Sequence, residues 1–188
     1  MTTDPGPGSD AGGPSRWAIL AALTLAVAVI GVVLTLASRS TPPRDVTVAA
    51  VDAPQAESPA CQSLGAALPQ RLGDFQRVAL AQPAPSGASA WRAVPGSNPV
   101  VLRCGLDRPA DFVVGSPLEV VDGVQWFKTS AAVRRPGNAG GSTWCAVDRS
   151  VYVALTLPAE SGPTPIQQLS EVIGRVLPAV PIQPAAPK

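Results

Sequence analysis

The uncharged segment of residues 17–37 constrains this chain more than any other feature. It reads WAILAALTLAVAVIGVVLTLA, its polar side chains are all threonine, and arginine stands close to each end, at Arg16 and Arg39. A helix needs about 20 apolar residues to cross the hydrocarbon core of a bilayer. Trp17 occupies the position where aromatic side chains favour the membrane interface. The segment therefore predicts a transmembrane helix over residues 16–38.

A cleaved signal peptide is the alternative interpretation of the same segment. Signal peptides have an apolar region of about 7–15 residues and end in an A-x-A-like site. This run is longer, and its exit, LASRS, matches such a site poorly, so we favour a retained anchor. Positive charges near the two ends do not decide the orientation. Because the arm of residues 1–15 is too short and polar to fold, we place the N-terminus in the cytoplasm.

The composition divides the remaining chain into further parts. Residues 1–15 are rich in Gly, Pro, Asp and Ser and predict a disordered cytoplasmic arm. Residues 39–45 predict a stalk, and residues 179–188 a mobile proline-rich tail. Residues 46–178 keep enough apolar side chains for one extracytoplasmic domain with its own core.

Two segments of this domain carry helix signatures. In the first, Ser58 can accept a hydrogen bond as N-cap, with Pro59 at the first helical position. In the second, Thr164 and Gln167 fit a capping box. Each segment repeats apolar residues at helical spacing, namely Cys61, Leu64, Leu68 and Leu72 in the first and Ile166, Leu169, Val172, Ile173 and Val176 in the second.

Between the two helices the pattern changes to short strands. In VVLRCG, Val100, Leu102 and Cys104 should point to one face, with Arg103 on the other. Asp-Gly at residues 122–123, between apolar runs, predicts a hairpin with a type I′ turn. Further strand-like runs are VTVAAV (46–51), FQRVAL (75–80), WRAV (91–94) and SVYVALTLP (150–158). Five or six strands with hairpin links predict an α+β domain, an antiparallel sheet packed by two helices.

Several classes of function are disfavoured by composition. The chain has no histidine, so Ser-His-Asp and Cys-His nucleophile pairs cannot form. Charged residues make up 14 % of the chain, the net charge is +1 and no basic tract occurs, which disfavours nucleic-acid binding. No P-loop and no metal-binding spacing is present. We expect no cofactor, no metal and no catalytic residues, although a thiolate or carboxylate enzyme stays open.

The chain has three cysteines, Cys61, Cys104 and Cys145, and no C-x-x-C motif. In an extracytoplasmic domain a disulfide is the default expectation. The residues alone leave the pairing open between Cys61–Cys104 and Cys104–Cys145.

Four segments together resemble one known family. They are a cysteine followed by a leucine-rich helix ending in LP, then VVLRCG, VDGVQW and VDRSVYVALTLP. This layout is similar to the domain-of-unknown-function 3515 family, an uncharacterised actinobacterial family with a single N-terminal span and one small extracytoplasmic domain. The resemblance implies a disulfide between Cys61 and Cys104. Cys145 is not part of the family pattern. It is either a buried small apolar side chain or a competing disulfide partner for Cys104.

Tryptophan and arginine side chains supply the remaining candidates for a ligand or partner surface. Trp91, Trp126 and Trp144 can line a sugar or peptide groove, and Arg103 and Arg149 can bind an anion. The competing interpretation is packing of the indoles in the core and a solvated rim of arginines.

These observations favour a membrane-anchored extracytoplasmic module without enzymatic activity. Its partners would be the lipid bilayer, through residues 17–37, and envelope proteins or cell-wall material. A small-ligand-binding or sensor domain is the first alternative, and a thiol- or carboxylate-dependent enzyme is the second.

Overall fold

The computed structural model describes residues 16–39, 45–130 and 141–187. The predicted arm of residues 1–15 lies outside the described residues, as does most of the predicted stalk. The chain divides into two compact units, Met1–Pro42 and Pro43–Lys188.

The first unit contains helix α1, Arg16–Arg39. The predicted helix is therefore confirmed as a helix. Among the described residues, no helix combines the length and the apolarity needed to cross a membrane. The transmembrane role of residues 16–38 stays a prediction.

The second unit is built around one antiparallel sheet, which confirms the α+β class. Within the described residues the sheet has eight strands in the order β1-β2-β3-β4-β8-β7-β6-β5, so two meanders meet where β4 pairs with β8. The strands are β1 Arg71–Leu72, β2 Phe75–Val78, β3 Ala88–Arg92, β4 Val100–Leu106, β5 Leu118–Val121, β6 Val124–Thr129, β7 Ser142–Ala146 and β8 Tyr152–Leu157.

The central strand β4 alternates its side chains as predicted. Val100, Leu102 and Cys104 belong to the main core, whereas Val101 packs in a separate cluster. The strand bulges at Gly105, whose φ is +86° and whose carbonyl accepts a hydrogen bond of 3.0 Å from the backbone N–H of Gln55. A Cβ at this position would collide with the backbone of residues 55–56, so only glycine fits.

Two helices cover one face of the sheet and close the main core. Helix α2, Pro59–Ala67, has Ser58 as its N-cap and ends before Pro69, as its sequence predicts. Helix α3, Thr164–Val176, buries a stripe that includes Leu169 and Ile173. Both helices contribute apolar side chains to the core cluster formed with β4 and β8.

Extended segments pack on clusters outside this main core. Val46 and Val48 pack with Val101 of β4. Ile182, in the proline-rich tail, packs against the cluster of Phe112 and Phe127.

The tail differs from the mobile segment that its composition predicts. Backbone hydrogen bonds hold Ala185 to Phe112 and Val114, and Val180 to Asp148, at 2.9–3.0 Å. Proline disfavours regular structure, but these bonds and the partial burial of Ile182 hold the tail in an extended conformation.

Three local predictions are wrong. Residues 46–51 form no strand beyond one bridge between Val46 and Leu80. The N-cap of α3 is Pro163, with no capping hydrogen bond from a side chain, so the capping box at Thr164 does not form. Strand β7 is not among the predicted strand-like runs, and residues 131–140 before it lie outside the described residues.

A candidate binding cleft beside helix α3

The disulfide joins helix α2 to the central strand. Cys61 and Cys104 are bonded, with their Cα atoms 5.6 Å apart, and both are buried in the main core. This confirms the pairing implied by the family resemblance. Cys145 is a free, buried cysteine. With both sulfurs of the bridge oxidised and enclosed, Cys61 cannot act as a thiolate nucleophile in this state.

Two of the three candidate tryptophans lie inside the core, and the third is half-buried on β7. Trp91 and Trp126 are fully buried, and their indole N–H groups donate to Pro69 O and Ser170 Oγ, each at 2.9 Å. Trp144 is half-buried, and Lys128 Nζ lies 5.2 Å from the centre of its ring. Trp91 and Trp126 are therefore packed in the core, and a ligand-facing role for the half-buried Trp144 stays a prediction.

The two candidate arginines are both buried, and they have different surroundings. Arg103 lies on β4, on the face opposite Cys104, and is not among the residues that line the cleft described below. Arg149 lies between β7 and β8 and does line that cleft. The five predicted residues therefore do not assemble into one surface, and Arg149 alone contributes to a candidate site.

The cleft has a volume of about 530 Å³ and lies between helix α3 and the turn that joins β5 to β6. Such a volume falls in the range of small-molecule sites. The type I′ turn contributes Asp122 and Gly123, with φ of +46° and +76°, as the Asp-Gly pair predicts. The exposed face of α3 supplies one wall, and the lining side chains are Asp122, Gly123, Arg149, Gln167, Gln168, Glu171, Gly174 and Ala179.

Arg149 is anchored inside the cleft by a buried ion pair. Its Nη1 lies 2.8 Å from Asp148 Oδ2 and donates to Asp148 O at 2.9 Å. Its Nη2 donates to Gly123 O at 3.1 Å, which ties the guanidinium to the hairpin turn. Since both side chains are almost fully buried, removal of either partner would leave an uncompensated charge in the protein interior.

The buried pair keeps unused hydrogen-bonding capacity. Among the described residues, neither Arg149 Nε nor Asp148 Oδ1 has a hydrogen-bond partner. Buried polar groups in native proteins are nearly always satisfied by protein, ordered water or ligand. Arg149 Nε is enclosed by protein, whereas Nη2 lies 3.9 Å from the Cβ position of Gly174 on the cleft wall and keeps one N–H for an oxygen atom from outside the protein.

The rim of the cleft carries negative charge. Asp122 and Glu171 are both exposed, and the charge of Arg149 is already balanced by Asp148. Arg175 Nη1 lies 3.7 Å from Glu171 Oε1, but both side chains are largely exposed, so this ion pair is weak. The cleft as a whole therefore favours a cationic group over an anionic one.

Groups with shifted pKa values lie outside this cleft. Burial raises the pKa of the Cys145 thiol from its ordinary 9.0 to about 12, and the Asp111 charge adds to the effect. Burial also raises the pKa of Asp111, but hydrogen bonds from Ser130 and Thr129 outweigh it and leave that pKa lowered. Among the described residues no group of three or more His, Cys, Asp or Glu side chains is placed to hold a metal ion.

Sequence reasoning found Arg149 and the turn but missed the cleft. Glu171 and Gly174 lie on the polar face of α3, which resembles any solvated helix face in sequence. Asp148, next to Arg149, is not among the residues predicted for a site. The available signal was the adjacent Asp-Arg pair in front of a strongly apolar strand, because charged residues in such a setting are buried only when paired.

Comparison with known families gives a match over most of the chain. The family model described as "Protein of unknown function (DUF3515)" matches residues 19–182. The chain belongs to this family. No curated protein and no solved structure matches the chain. DUF3515 membership supports the resemblance found in the sequence and assigns no biochemical role.

Proposed function

We propose that this DUF3515 protein is a membrane-anchored extracytoplasmic binding module without enzymatic activity. Helix α1 would hold it in the bilayer, and the α+β domain would lie outside the cytoplasm and contact envelope proteins or cell-wall material. The observation that carries the proposal is the Cys61–Cys104 disulfide in the domain core.

The disulfide supports an extracytoplasmic domain on grounds of redox chemistry. Structural disulfides form in oxidising compartments and are rare in the cytosol. This bridge connects α2 to the central strand of the sheet and lies among buried side chains. A core that contains such a crosslink fits a domain that folds after export.

The sequence of α1 supports the anchor. Residues 17–37 contain no charged side chain, and a helix rises 1.5 Å per residue, so these residues reach roughly 30 Å. The apolar side chains described in this helix are exposed, among them Leu25 and Val27. An exposed apolar helix is stable in lipid and costly in water.

Topology mapping tests the proposal in cells that express the full chain. One variant carries Val120→Cys, at an exposed position of β5, and its counterpart carries Thr3→Cys in the N-terminal arm. We expect a membrane-impermeant maleimide to label Val120→Cys in intact spheroplasts, and Thr3→Cys only after lysis. Cys145 is buried and should stay unlabelled in both variants.

The same cells separate the proposal from its alternatives. The chain should stay in the membrane pellet after alkaline carbonate extraction and keep the mass of the uncleaved sequence. Labelling of Thr3→Cys but not of Val120→Cys in intact spheroplasts, or recovery of a shortened soluble chain, would contradict the anchored topology.

A small-ligand-binding domain is the second candidate, and the cleft favours it over the predicted tryptophan groove. The cleft is lined by a buried guanidinium whose Nη2 keeps one N–H without an acceptor among the described residues. The same domain can therefore combine tethering to the membrane with recognition of a small molecule.

A further inference from the structure

We propose that the cleft between α3 and the β5–β6 turn binds a small organic cation that carries a primary ammonium group close to a carbonyl or hydroxyl oxygen. This inference deepens the proposed function, since it names the class of ligand for the binding module. Amino-acid amides, peptides with a free amine and amino sugars share this chemistry.

The two acidic side chains at the rim of the cleft indicate that the ligand carries a positive charge. Asp122 stands on the hairpin turn and Glu171 on the facing helix, and both line the same cleft. Their carboxylates are acceptors only, and no lysine lines the cleft. An ammonium group donates three hydrogen bonds and can satisfy both carboxylates in charge-assisted bonds.

The Arg149 guanidinium inside the cleft indicates that the ligand also carries an uncharged oxygen acceptor. Arg149 is 6 % exposed, and its Nη2 lies beside the cleft wall, 3.9 Å from the Cβ position of Gly174. Nη2 uses one N–H on Gly123 O, which leaves its second N–H. A carboxylate ligand would gain little here, because Asp148 already neutralises the guanidinium, whereas a carbonyl or hydroxyl oxygen fills the vacant position without adding charge.

Gly174 keeps the cleft open beside the guanidinium. A Cβ at this position would lie 3.7 Å from Asp122 O and 3.9 Å from Arg149 Nη2, so a longer side chain would occupy the space of the ligand. Alanine fits at van der Waals contact, and leucine would fill the cleft while the helix stays intact.

Binding can be measured by NMR titration of the purified, oxidised full chain. The probes are glycinamide and glucosamine, and N-acetylglycinamide and N-acetylglucosamine serve as controls that lack the positive charge. We expect saturable shifts of the Gly123 and Gly174 amide signals and of the Arg149 Nε–H signal with at least one amine probe. The acetylated controls should bind at least about tenfold more weakly. The two amines distinguish an amide-type ligand from an amino-sugar-type ligand.

Matched variants assign the binding to the cleft. Asp122→Asn with Glu171→Gln removes the two rim charges, and Asn-Gly is itself a preferred type I′ turn. The control, Asp107→Asn with Glu160→Gln, removes two exposed charges that do not line the cleft. The first double variant should bind at least about tenfold more weakly, the control should bind like the parent chain, and Gly174→Leu should abolish binding.

Three outcomes would overturn the inference. They are the absence of a saturable shift with either amine, equal binding of amines and acetylated controls, and unchanged binding by the rim variant. None of these outcomes changes the result of the labelling experiment in spheroplasts. Failure of the ligand assignment is therefore distinguishable from failure of the proposed membrane-anchored function.

Discussion

At the scale of single residues, the buried Asp148–Arg149 pair and the buried Cys145 thiol lead to the clearest predictions. The Asp148–Arg149 pair shapes the cleft, and the Cys145 thiol lies in the cluster of Phe112 and Phe127. The ion pair is stable only while both of its members are charged, and the buried thiol is stable only while it is neutral. A change in either charge state should therefore alter the free energy of unfolding.

Replacing Asp148 with asparagine should be strongly destabilising. The Asp148→Asn variant leaves the guanidinium of Arg149 buried without its counter-charge, and we expect the free energy of unfolding to fall by about 3 kcal/mol. Denaturant unfolding of the oxidised parent chain and of the variant measures this difference in the free energy of unfolding. Asp107→Asn, at an exposed aspartate, should change stability by less than about 0.5 kcal/mol. Equal values for the two variants would contradict a buried ion pair.

Cys145 should make the domain sensitive to alkaline pH. Between pH 9.0 and about 12 the unfolded thiol loses its proton while the folded thiol keeps it. The folded state then binds more protons, so the free energy of unfolding falls as pH rises, by at most roughly 1.4 kcal/mol per pH unit from this group. Urea unfolding across this window should show a steeper loss for the parent chain than for Cys145→Ala. Parallel curves would show that the thiol is not buried.

At the scale of the elements, glycine has different consequences in helices and in turns. Gly65 in α2 and Gly174 in α3 both lie in helices. An ideal Cβ at Gly65 meets no atom within 4 Å, and at Gly174 its nearest neighbour is 3.7 Å away. Gly123, with φ of +76°, shapes the hairpin turn instead. The helices therefore tolerate a side chain where the turn does not.

Alanine at either helical glycine should stabilise the domain. Gly65→Ala and Gly174→Ala each reduce the backbone entropy of the unfolded chain, and we expect a gain of about 0.5–1 kcal/mol in the free energy of unfolding. Thermal and denaturant unfolding check this. The matched change Gly123→Ala should instead destabilise the domain, because alanine is strained at positive φ. A loss at Gly65 would show that α2 is packed differently.

At the scale of the whole molecule, one covalent bond joins parts of the domain that lie far apart in sequence. The Cys61–Cys104 disulfide spans 43 residues and connects α2 to the strand at which the two meanders meet. The bond shortens the unfolded chain and so restricts its entropy.

Loss of the disulfide should therefore be costly. The double variant Cys61→Ala with Cys104→Ala should lose about 4 kcal/mol of unfolding free energy in the chain-entropy account. Cys145→Ala removes one buried sulfur outside the bridge and should cost only about 1 kcal/mol near neutral pH. Unfolding curves of both variants and of the reduced parent chain provide the comparison. A double variant as stable as Cys145→Ala would rule out a stabilising role for the bridge.

Local pattern in the sequence was enough for much of the secondary structure. The alternation in VVLRCG, the Asp122-Gly123 turn and the Ser58 cap of α2 each depend on residues within a few positions of one another. Backbone geometry and short-range hydrogen bonds control such features, so a single sequence reports them. The α+β class followed from their order along the chain.

The strand order and the cleft were decided only by the tertiary structure. The pairing of the strands depends on burial between residues far apart in the sequence, which no local pattern encodes. The same is true of the proline-rich tail, which is held by backbone hydrogen bonds to Phe112 and Asp148. The cleft brings together Asp122, Arg149 and Glu171, which lie far apart in the sequence and are neighbours only in the folded domain. Trp91 and Trp126 were plausible ligand contacts in sequence because an indole suits a core and a groove equally, and only packing distinguishes the two.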